Sequence, residues 1–383
     1  MCIVRQLSIV VLTALICAAC SPASQDKADG DVAFQVFAAP YTKGVECSIT
    51  TSLENSNTKL LLSASAKNAN GQVVNPSMFM DGDDPDTQQL TKVGGVWKVS
   101  GQGLTVPLGT YLDALIFGVG SDDNNSDLSD FGESTWNYTL NASDAASGVV
   151  FNNVDTYANQ MDVMYASANG ISSESPWRTL SLRHAQALLI FNVKFEDKDE
   201  WEFIESNGSD YKFKIDDILF LNDAGYTQYL NHNTITPGNV LLKTVGTFSI
   251  DNSRNNLEAS WSGLDVSADN YSLPMAVTSK SNANSIAEDS PVFSNTRVSW
   301  EVNGIVRDKV YQLGQPLLVP EQETQNFIVQ YTYNGHTDHE KVNVPKGKWN
   351  SGEKYIYTLN MKFNGARFTI DVIDMEEIYG GEI

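Results

Sequence analysis

Apolar and polar residues alternate along many short stretches of this 383-residue chain, most sharply in its second half. In the stretch 183–195, one face carries only apolar side chains, namely those of Ala185, Ala187, Leu189, Phe191, Val193 and Phe195. The opposite face includes His184, Gln186, Asn192 and Lys194. Period-two alternation of this kind predicts a single β-strand with one face in a core.

The same pattern recurs along the chain and predicts an all-β fold. Strand-like runs cover 32–38, 60–66, 95–101, 110–120, 211–215, 326–333, 354–363 and 367–372. In the first run, Val32, Phe34 and Val36 share one face. Segments rich in Gly, Asn, Asp and Pro separate the runs. Many short strands between turns are typical of β-sandwiches, so we predict two β-sandwich domains in tandem.

The first twenty residues predict secretion and lipid attachment. They combine one positive charge, an apolar core and small residues before Cys20, which is the pattern of a secretory signal peptide. The small-small-Cys ending indicates lipidation of Cys20, although Cys17 stands where a leucine is usual; cleavage at an ordinary secretory site is the alternative. Acyl chains such as palmitate on Cys20 would anchor the protein stably to a membrane.

These signals divide the chain into four parts. We assign 1–19 to a lipoprotein signal peptide, 20–31 to a polar tether, 32–178 to an N-terminal β-sandwich domain and 179–383 to a C-terminal one. The predicted boundary lies in the polar stretch 173–178.

Composition narrows the class of protein. The net charge is −22, and the loss of Arg5 with the signal peptide makes it −23, which argues against nucleic acid as a partner. If Cys2 and Cys17 are removed and Cys20 is lipidated, Cys47 is the one thiol left, so we expect no internal disulfide.

The sequence offers little for catalysis. His184 and the other three histidines lie in no recognisable nucleophile motif, and no G-x-S-x-G or Gly-rich phosphate loop is present. The carboxylate pair of a glycoside hydrolase is set by geometry, which 47 acidic residues alone do not define. We therefore predict a protein that is not an enzyme, needs no cofactor and uses His184 structurally.

Two features could suit metals, but neither has the required pattern. His336 and His339 are three residues apart, yet strand-like flanks predict that they lie in a hairpin turn. The acidic loops 81–87 and 121–130 offer oxygen ligands for calcium without the spacing of an EF-hand. We predict no metal site.

Four features, in order along the chain, resemble the fimbrillins, the pilin family of type V pili in Bacteroidales. The first is the lipoprotein signal ending at Cys20, and the second is DVMYASA (162–168) followed by LSLRHAQALLIFNV. The third is a pair of Leu-Pro segments, YSLPMAV (271–277) and PLLVPEQ (316–322). The fourth is a Trp-x-x-Gly-x-x-Tyr-x-Tyr signature at Trp349, Gly352, Tyr355 and Tyr357.

The resemblance implies two transthyretin-like β-sandwiches in tandem and a mode of assembly. In family members that polymerise, a protease removes the tether and first strand, and the vacated groove accepts a strand of the next subunit. Here the removable strand would carry Val32, Phe34 and Val36. The donor candidates are Phe368, Ile370 and Val372, with the tail that follows them.

Two departures affect this expectation. No arginine lies between Cys20 and Trp177, whereas the best-known pilins are cut after arginine, so Lys43 becomes the expected processing site. The closing segment carries Met375 where the family often has a tryptophan.

We therefore expect a cell-surface fimbrillin-like lipoprotein of the outer membrane or fimbrium. It would be a pilus subunit (anchor, accessory or stalk) or a pilus-associated adhesin, joined to other pilus subunits by strand exchange. A receptor or glycan on a host or bacterial surface is a further expected partner. The alternative is a surface glycan-binding lipoprotein that stacks sugars on clustered aromatic side chains. The tryptophans are scattered along the sequence, which favours core packing for most of them.

Overall fold

The structure is a computed structural model that describes residues 32–38, 58–75, 87–100, 104–106, 108–120, 137–141, 143–155, 162–195, 213–232, 235–253, 256–266, 293–298, 301–302, 305–306, 310–333, 335–365 and 368–374. The strands in chain order are β1 (Ala33–Ala38), β2 (Thr58–Lys67), β3 (Val73–Asn75), β4 (Gln88–Val93), β5 (Val96–Val99), β6 (Tyr111–Gly120), β7 (Asn137–Leu140), β8 (Gly148–Asp155), β9 (Asp162–Ile171), β10 (Trp177–His184), β11 (Ala187–Phe195), β12 (Phe213–Leu219), β13 (Val245–Asp251), β14 (Glu258–Asp265), β15 (Phe293–Val298), β16 (Glu301–Val302), β17 (Ile305–Val306), β18 (Val310–Val319), β19 (Gln322–Glu323), β20 (Phe327–Tyr333), β21 (His336–Val342), β22 (Lys348–Trp349), β23 (Lys354–Phe363) and β24 (Phe368–Asp374). One α-helix, α1 (Asp223–His232), and two 3-10 turns (Ala145–Ser147 and Pro237–Asn239) complete the described elements.

Seven strands close into a ring in the first part of the chain. Their order is β2-β4-β5-β1-β10-β9-β6, and β6 pairs back onto β2 over ten residues, from Thr58↔Gly120 to Lys67↔Tyr111. The short strand β3 extends the sheet beside β2. Apolar side chains of all seven strands fill the interior, with Phe34, Leu62 and Ile116 fully buried. Closure removes sheet edges, which would otherwise invite pairing with other chains.

A four-stranded sheet covers the outer face of this ring. Its order is β14-β13-β8-β7, and it packs a second core against β2, β6 and β9. The rings of Phe117, Phe151 and Phe248 form the centre of this core. The strands of this sheet come from both sides of residues 178–179, and β10 itself spans those positions within the ring.

A five-stranded sheet and a three-stranded sheet form a sandwich in the second part of the chain. The orders are β15-β18-β11-β23-β24 and β12-β20-β21. Between them, Phe191, Phe327, Tyr357 and Trp349 contribute large side chains to a shared core. On the outer face of the smaller sheet, Tyr226 of α1 packs with buried leucine, isoleucine and valine side chains. No helix within the described ranges is long and apolar enough to cross a membrane.

The predicted all-β sandwich fold is confirmed, but two local predictions are wrong. The stretch 183–195 is not one strand: β10 ends at His184, β11 begins at Ala187, and a bend separates them. The histidines of 336–339 lie not in a turn but in β21, paired with β20. Gly335, at φ +78, makes the hairpin turn so tight that the strand resumes at His336.

Candidate functional site

The first strand, β1, lies between two strands of the ring. Its six residues pair in parallel with β10, from Ala33↔Trp177 to Ala38↔Leu182. On its other side it meets β5 at Phe34↔Trp97, and the Val32 backbone N–H donates to the Leu104 carbonyl at 2.8 Å. β1 thus lies between β5 and β10, two strands that do not pair with each other in the described sheet.

Val32, which directly precedes β1, and alternate side chains of β1 fill the interior of the ring. Val32, Phe34 and Val36 are at most 9 % exposed and belong to one core with the side chains of the six other strands, whereas Gln35 points to solvent. Burying side chains of these types stabilises a fold by about 1.5–3 kcal/mol each. A chain without β1 would therefore expose an apolar groove flanked by the edges of β5 and β10. A groove of this kind suits a replacement strand, which supplies backbone hydrogen bonds and alternate side chains.

His184 ends β10 beside a carboxylate. Its Nδ1 lies 2.8 Å from Oδ2 and 2.9 Å from Oδ1 of Asp162, the first residue of β9. The side chains are 1 % and 0 % exposed. A substrate could not reach an imidazole buried to this degree, so the pair joins β9 to β10 rather than activating a nucleophile.

Directly after His184, the bend at Ala185 and Gln186 forms hydrogen bonds with three separate segments. The Ala185 N–H donates to the Val163 carbonyl at 2.8 Å, and the Val163 N–H donates to the buried Gln186 Oε1 at 3.0 Å. The Ala185 carbonyl accepts from the Trp261 indole and from the Ser351 hydroxyl, both at 2.6 Å. We call residues 184–186 with these partners the junction.

The junction also receives the Trp-x-x-Gly-x-x-Tyr-x-Tyr signature. The Gly352 N–H donates to the Gln186 carbonyl at 2.8 Å, and the indole N–H of the fully buried Trp349 donates to the Tyr357 hydroxyl at 2.7 Å. The Tyr355 hydroxyl donates to the Lys348 carbonyl at 2.8 Å. Burial, followed by a hydrogen bond with the Glu353 carboxylate, raises the pKa of Tyr355 well above its ordinary value of 10.0. The stretch around Gln186 and the Trp-x-x-Gly-x-x-Tyr-x-Tyr signature, which are far apart in the sequence, therefore contact each other in the fold.

Replacing Gly352 with alanine should destabilise the protein by about 1–2 kcal/mol, because Gly352 has φ +74 and an L-residue is strained there. The added Cβ would meet the His184 carbonyl oxygen at 3.8 Å, an ordinary contact, so the backbone alone causes the cost. Urea unfolding of Gly347→Ala is the control. Its Cβ would lie 3.9 Å from Thr324 Cγ2 without a positive φ, and a loss equal to that of Gly352→Ala would contradict the argument.

The structure places the predicted site residues as follows. Phe368 and Ile370 of β24 are buried in the core of the sandwich, and Val372 pairs with Leu359 of β23. Cys20, Lys43, Met375 and both acidic loops (81–87 and 121–130) fall outside the described residues, apart from Thr87. Among the residues that the structure describes, no group of three or more His, Cys, Asp or Glu side chains is placed to hold a metal ion.

Sequence reasoning missed the partners of the junction. Asp162 begins the DVMYASA motif, but alternation does not show that a carboxylate at the start of one strand reaches the histidine at the end of the next. Trp261 packs against the core beneath the four-stranded sheet, and its indole also donates to a carbonyl 76 positions away along the chain, which the scattered tryptophans of the sequence do not reveal. The one available signal in the sequence was the position of Asp162 at the start of an otherwise apolar strand, where a charged side chain needs a partner.

Comparisons with known proteins identify the family of this chain. A family model described as fimbrillin-like matches residues 132–372, which include both halves of the junction. Among solved structures, a candidate cell adhesion protein of Bacteroides ovatus is 12 % identical with a TM-score of 0.44, covering 91 % of this chain and 97 % of that one. A fimbrial assembly protein of Parabacteroides distasonis is 9 % identical with a TM-score of 0.35, covering 91 % and 96 %. No curated protein matches at a significant level. Because the family model matches well over half of the sequence, the chain belongs to the fimbrillin-like family.

Proposed function

We propose that this protein is a cell-surface subunit of a pilus, or an adhesin associated with one, that joins other subunits by β-strand addition. The observation that supports the proposal best is the position of β1, near the start of the expected mature chain and inserted between β5 and β10. All of its inward side chains belong to one short segment, so a single proteolytic cut could release them together.

Lys43 is the proposed processing site, and Cys20 the proposed lipid anchor. Cleavage after Lys43 would detach β1 from the chain that continues into β2, leaving it held by pairing and burial alone. A subunit that keeps the segment would fill its own groove and stay at the membrane as an anchor or accessory component. The residues of β24 and the tail after it remain the proposed donor strand, which would have to leave the edge of β23 to reach another subunit.

Limited digestion with a lysine-specific protease tests this proposal on the purified chain from Ser21 onward. We expect a product that begins at Gly44, has lost the segment with β1, and forms a ladder of multimers stable in cold detergent. Removal of β1 exposes two strand edges and an apolar groove, which favours pairing between chains.

The matched control is Lys43→Gln, which should resist cleavage at this point and remain monomeric under the same digestion. A wild-type product that starts at Gly44 but stays monomeric at high concentration would contradict assembly through the β1 groove. The N-terminus of the protein taken from the native cell surface gives an independent measurement, since a lipidated Cys20 there indicates an anchor rather than a stalk.

The glycan-binding alternative has one specific observation in its favour. Trp177, at the start of β10, is 40 % exposed, whereas Trp97 and Trp349 are buried. Binding of a polysaccharide panel with micromolar affinity, lost in Trp177→Ala and retained in Leu108→Ala at another exposed site, would favour this alternative over the pilus role. Absence of multimers after cleavage would then be expected as well.

A further inference from the structure

The chain enters the ring of seven strands at one end, where β1 begins. Ala33, the first residue of β1, pairs with Trp177, the first residue of β10. Tyr111, the first residue of β6, pairs with Lys67, the last residue of β2. β9 ends at the same level, and a short turn leads from it into β10. We call this end of the ring the entry end.

Large apolar side chains are exposed at the entry end. Leu108 belongs to the turn before β6, and Val74 belongs to β3, which pairs with the last residues of β2. Four of the six large apolar side chains that are exposed in the described part of the chain lie here, namely Leu108 (92 %), Val74 (52 %), Tyr111 (47 %) and Trp177 (40 %). Single exposed apolar side chains are normal on a protein surface, whereas several at one end indicate contact with an apolar partner.

The loops of the entry end are poor in charge. They cover 68–72 between β2 and β3, 104–110 before β6 and 172–176 between β9 and β10, and Glu174 is the one charged residue in their sequences. In the whole chain, 19 % of residues are charged and the net charge is −22. The entry end is therefore a nearly neutral part of an acidic protein.

Two basic side chains flank these loops, and both are held within the fold. The Lys67 Nζ lies 2.8 Å from the Asp113 carboxylate and 3.0 Å from that of Asp144. The Arg178 guanidinium donates to the Gly170 carbonyl at 2.8 Å and to the carbonyl of Trp177 at 2.9 Å. The entry end thus offers apolar and aromatic contact rather than a cationic patch.

A lipid bilayer fits this chemistry and lies on the correct side of the fold. Cys20, the proposed lipid anchor, is twelve positions before Val32. A linker of that length reaches about 40 Å at most, so the end at which β1 begins is the part of the ring held nearest to the membrane. Tryptophan and tyrosine concentrate at membrane–water interfaces, where one end of the ring system is in an apolar phase and the other is hydrated.

We infer that the entry end rests on the bilayer that holds the anchor, with Leu108, Tyr111 and Trp177 at the level of the lipid headgroups. The inference rests on the lipid anchor of the proposed function and adds an orientation to it. β1 runs away from the bilayer and ends at Ala38. The chain that continues toward the proposed processing site, Lys43, therefore leaves β1 at the end of the ring that faces away from the membrane.

Partitioning of a singly acylated chain into vesicles tests the inference. The chain from Cys20 onward with Cys47→Ser has one thiol, which is coupled to a maleimide that carries a single C14 chain. One acyl chain of this length binds a bilayer only marginally, so a contribution from the protein surface is measurable. With phosphatidylcholine vesicles, Leu108→Ser combined with Trp177→Ser should lower the partition coefficient about tenfold or more, as measured by flotation.

The matched control is Val93→Ser combined with Leu230→Ser, which removes the two exposed apolar side chains that lie elsewhere. This variant should keep the partition coefficient within about twofold of wild type. All four replaced side chains are exposed, so urea unfolding should give similar stabilities for the two double variants. Equal losses of partitioning in both variants, or no loss in either, would overturn the inference.

Quenching by brominated phosphatidylcholine locates the contact on the same acylated chain. In a Trp177→Phe background, the lipid should quench Leu108→Trp more strongly than Leu230→Trp, because the remaining native tryptophans are common to both variants. Equal quenching of the two would contradict a bilayer at the entry end.

These measurements separate the orientation from the proposed function. The C14 chain is attached chemically, so neither result depends on whether the native Cys20 is lipidated or whether subunits exchange strands. A polysaccharide that binds through Trp177, with partition coefficients equal in all variants, would overturn the inference and assign the entry end to a glycan.

Discussion

Replacing Phe34 with alanine should destabilise the ring by about 3–5 kcal/mol, the loss usual for a phenylalanine removed from a packed core. The side chain is 0 % exposed and belongs to a core that also contains side chains of the six other ring strands, so its removal leaves a cavity in that core. Urea unfolding followed by tryptophan fluorescence measures the change, because the partner of Phe34 on β5 is the buried Trp97.

Gln35→Ala is the matched control, since it changes the same strand on its solvent face and should stay within about 0.5 kcal/mol of wild type. If Phe34→Ala changed the free energy of unfolding as little as Gln35→Ala, β1 would contribute little to the stability of the ring. Release of β1 by a protease would then give little driving force for a replacement strand to bind. The two variants therefore test both the contribution of β1 to the stability of the ring and the proposed strand addition.

Replacing Asp162 with alanine should destabilise the protein by about 1–3 kcal/mol, because removal of one partner from a buried hydrogen-bonded pair leaves the other polar group unsatisfied. Asp162 and His184 are almost completely inaccessible to water, and the pair joins β9 to β10 at the junction. The free energy of unfolding, measured at neutral pH, gives the comparison with wild type.

The same chain provides an exposed counterpart of this pair. Asp338 and His339 lie 3.9 Å apart on β21 with side chains 38 % and 45 % exposed, so Asp338→Ala should cost less than about 1 kcal/mol. Similar losses for Asp162→Ala and Asp338→Ala would show that burial does not determine the contribution of His184. Asp162→Asn, which keeps the size and one carbonyl oxygen, should lie between wild type and Asp162→Ala.

The sequence was informative wherever a local pattern decides the structure. Val32, Phe34 and Val36 point into a core because period-two alternation is a property of each strand by itself. Closure of the ring could not be read in this way, since it depends on the pairing of β1 with β10, whose residues are more than 140 positions apart. Loop closure of that length leaves no local trace in the sequence.

Hydrogen bonds to distant segments explain why the single strand predicted for 183–195 is divided in the structure. Alternation of apolar and polar residues continues through 183–195. At Gln186, however, the backbone carbonyl accepts a hydrogen bond from the Gly352 N–H, and the side-chain oxygen accepts one from the Val163 N–H. These bonds replace those of a continuous ladder and turn the chain from the ring into the five-stranded sheet. The apolar pattern survives the bend because Ala185 and Ala187 face two different cores.

The parallel pairing of β1 with β10 also determines how the protein would respond to tension. A pull on the N-terminal end of β1 and on the chain beyond His184 acts along the two strands in opposite directions, so it shears their six-residue pairing. In shear, all inter-strand hydrogen bonds are loaded together, whereas in peeling they break one after another. If the proposed lipid anchor holds β1 at the membrane, the strand would therefore resist a steady mechanical force until all of its pairing with β10 breaks at once.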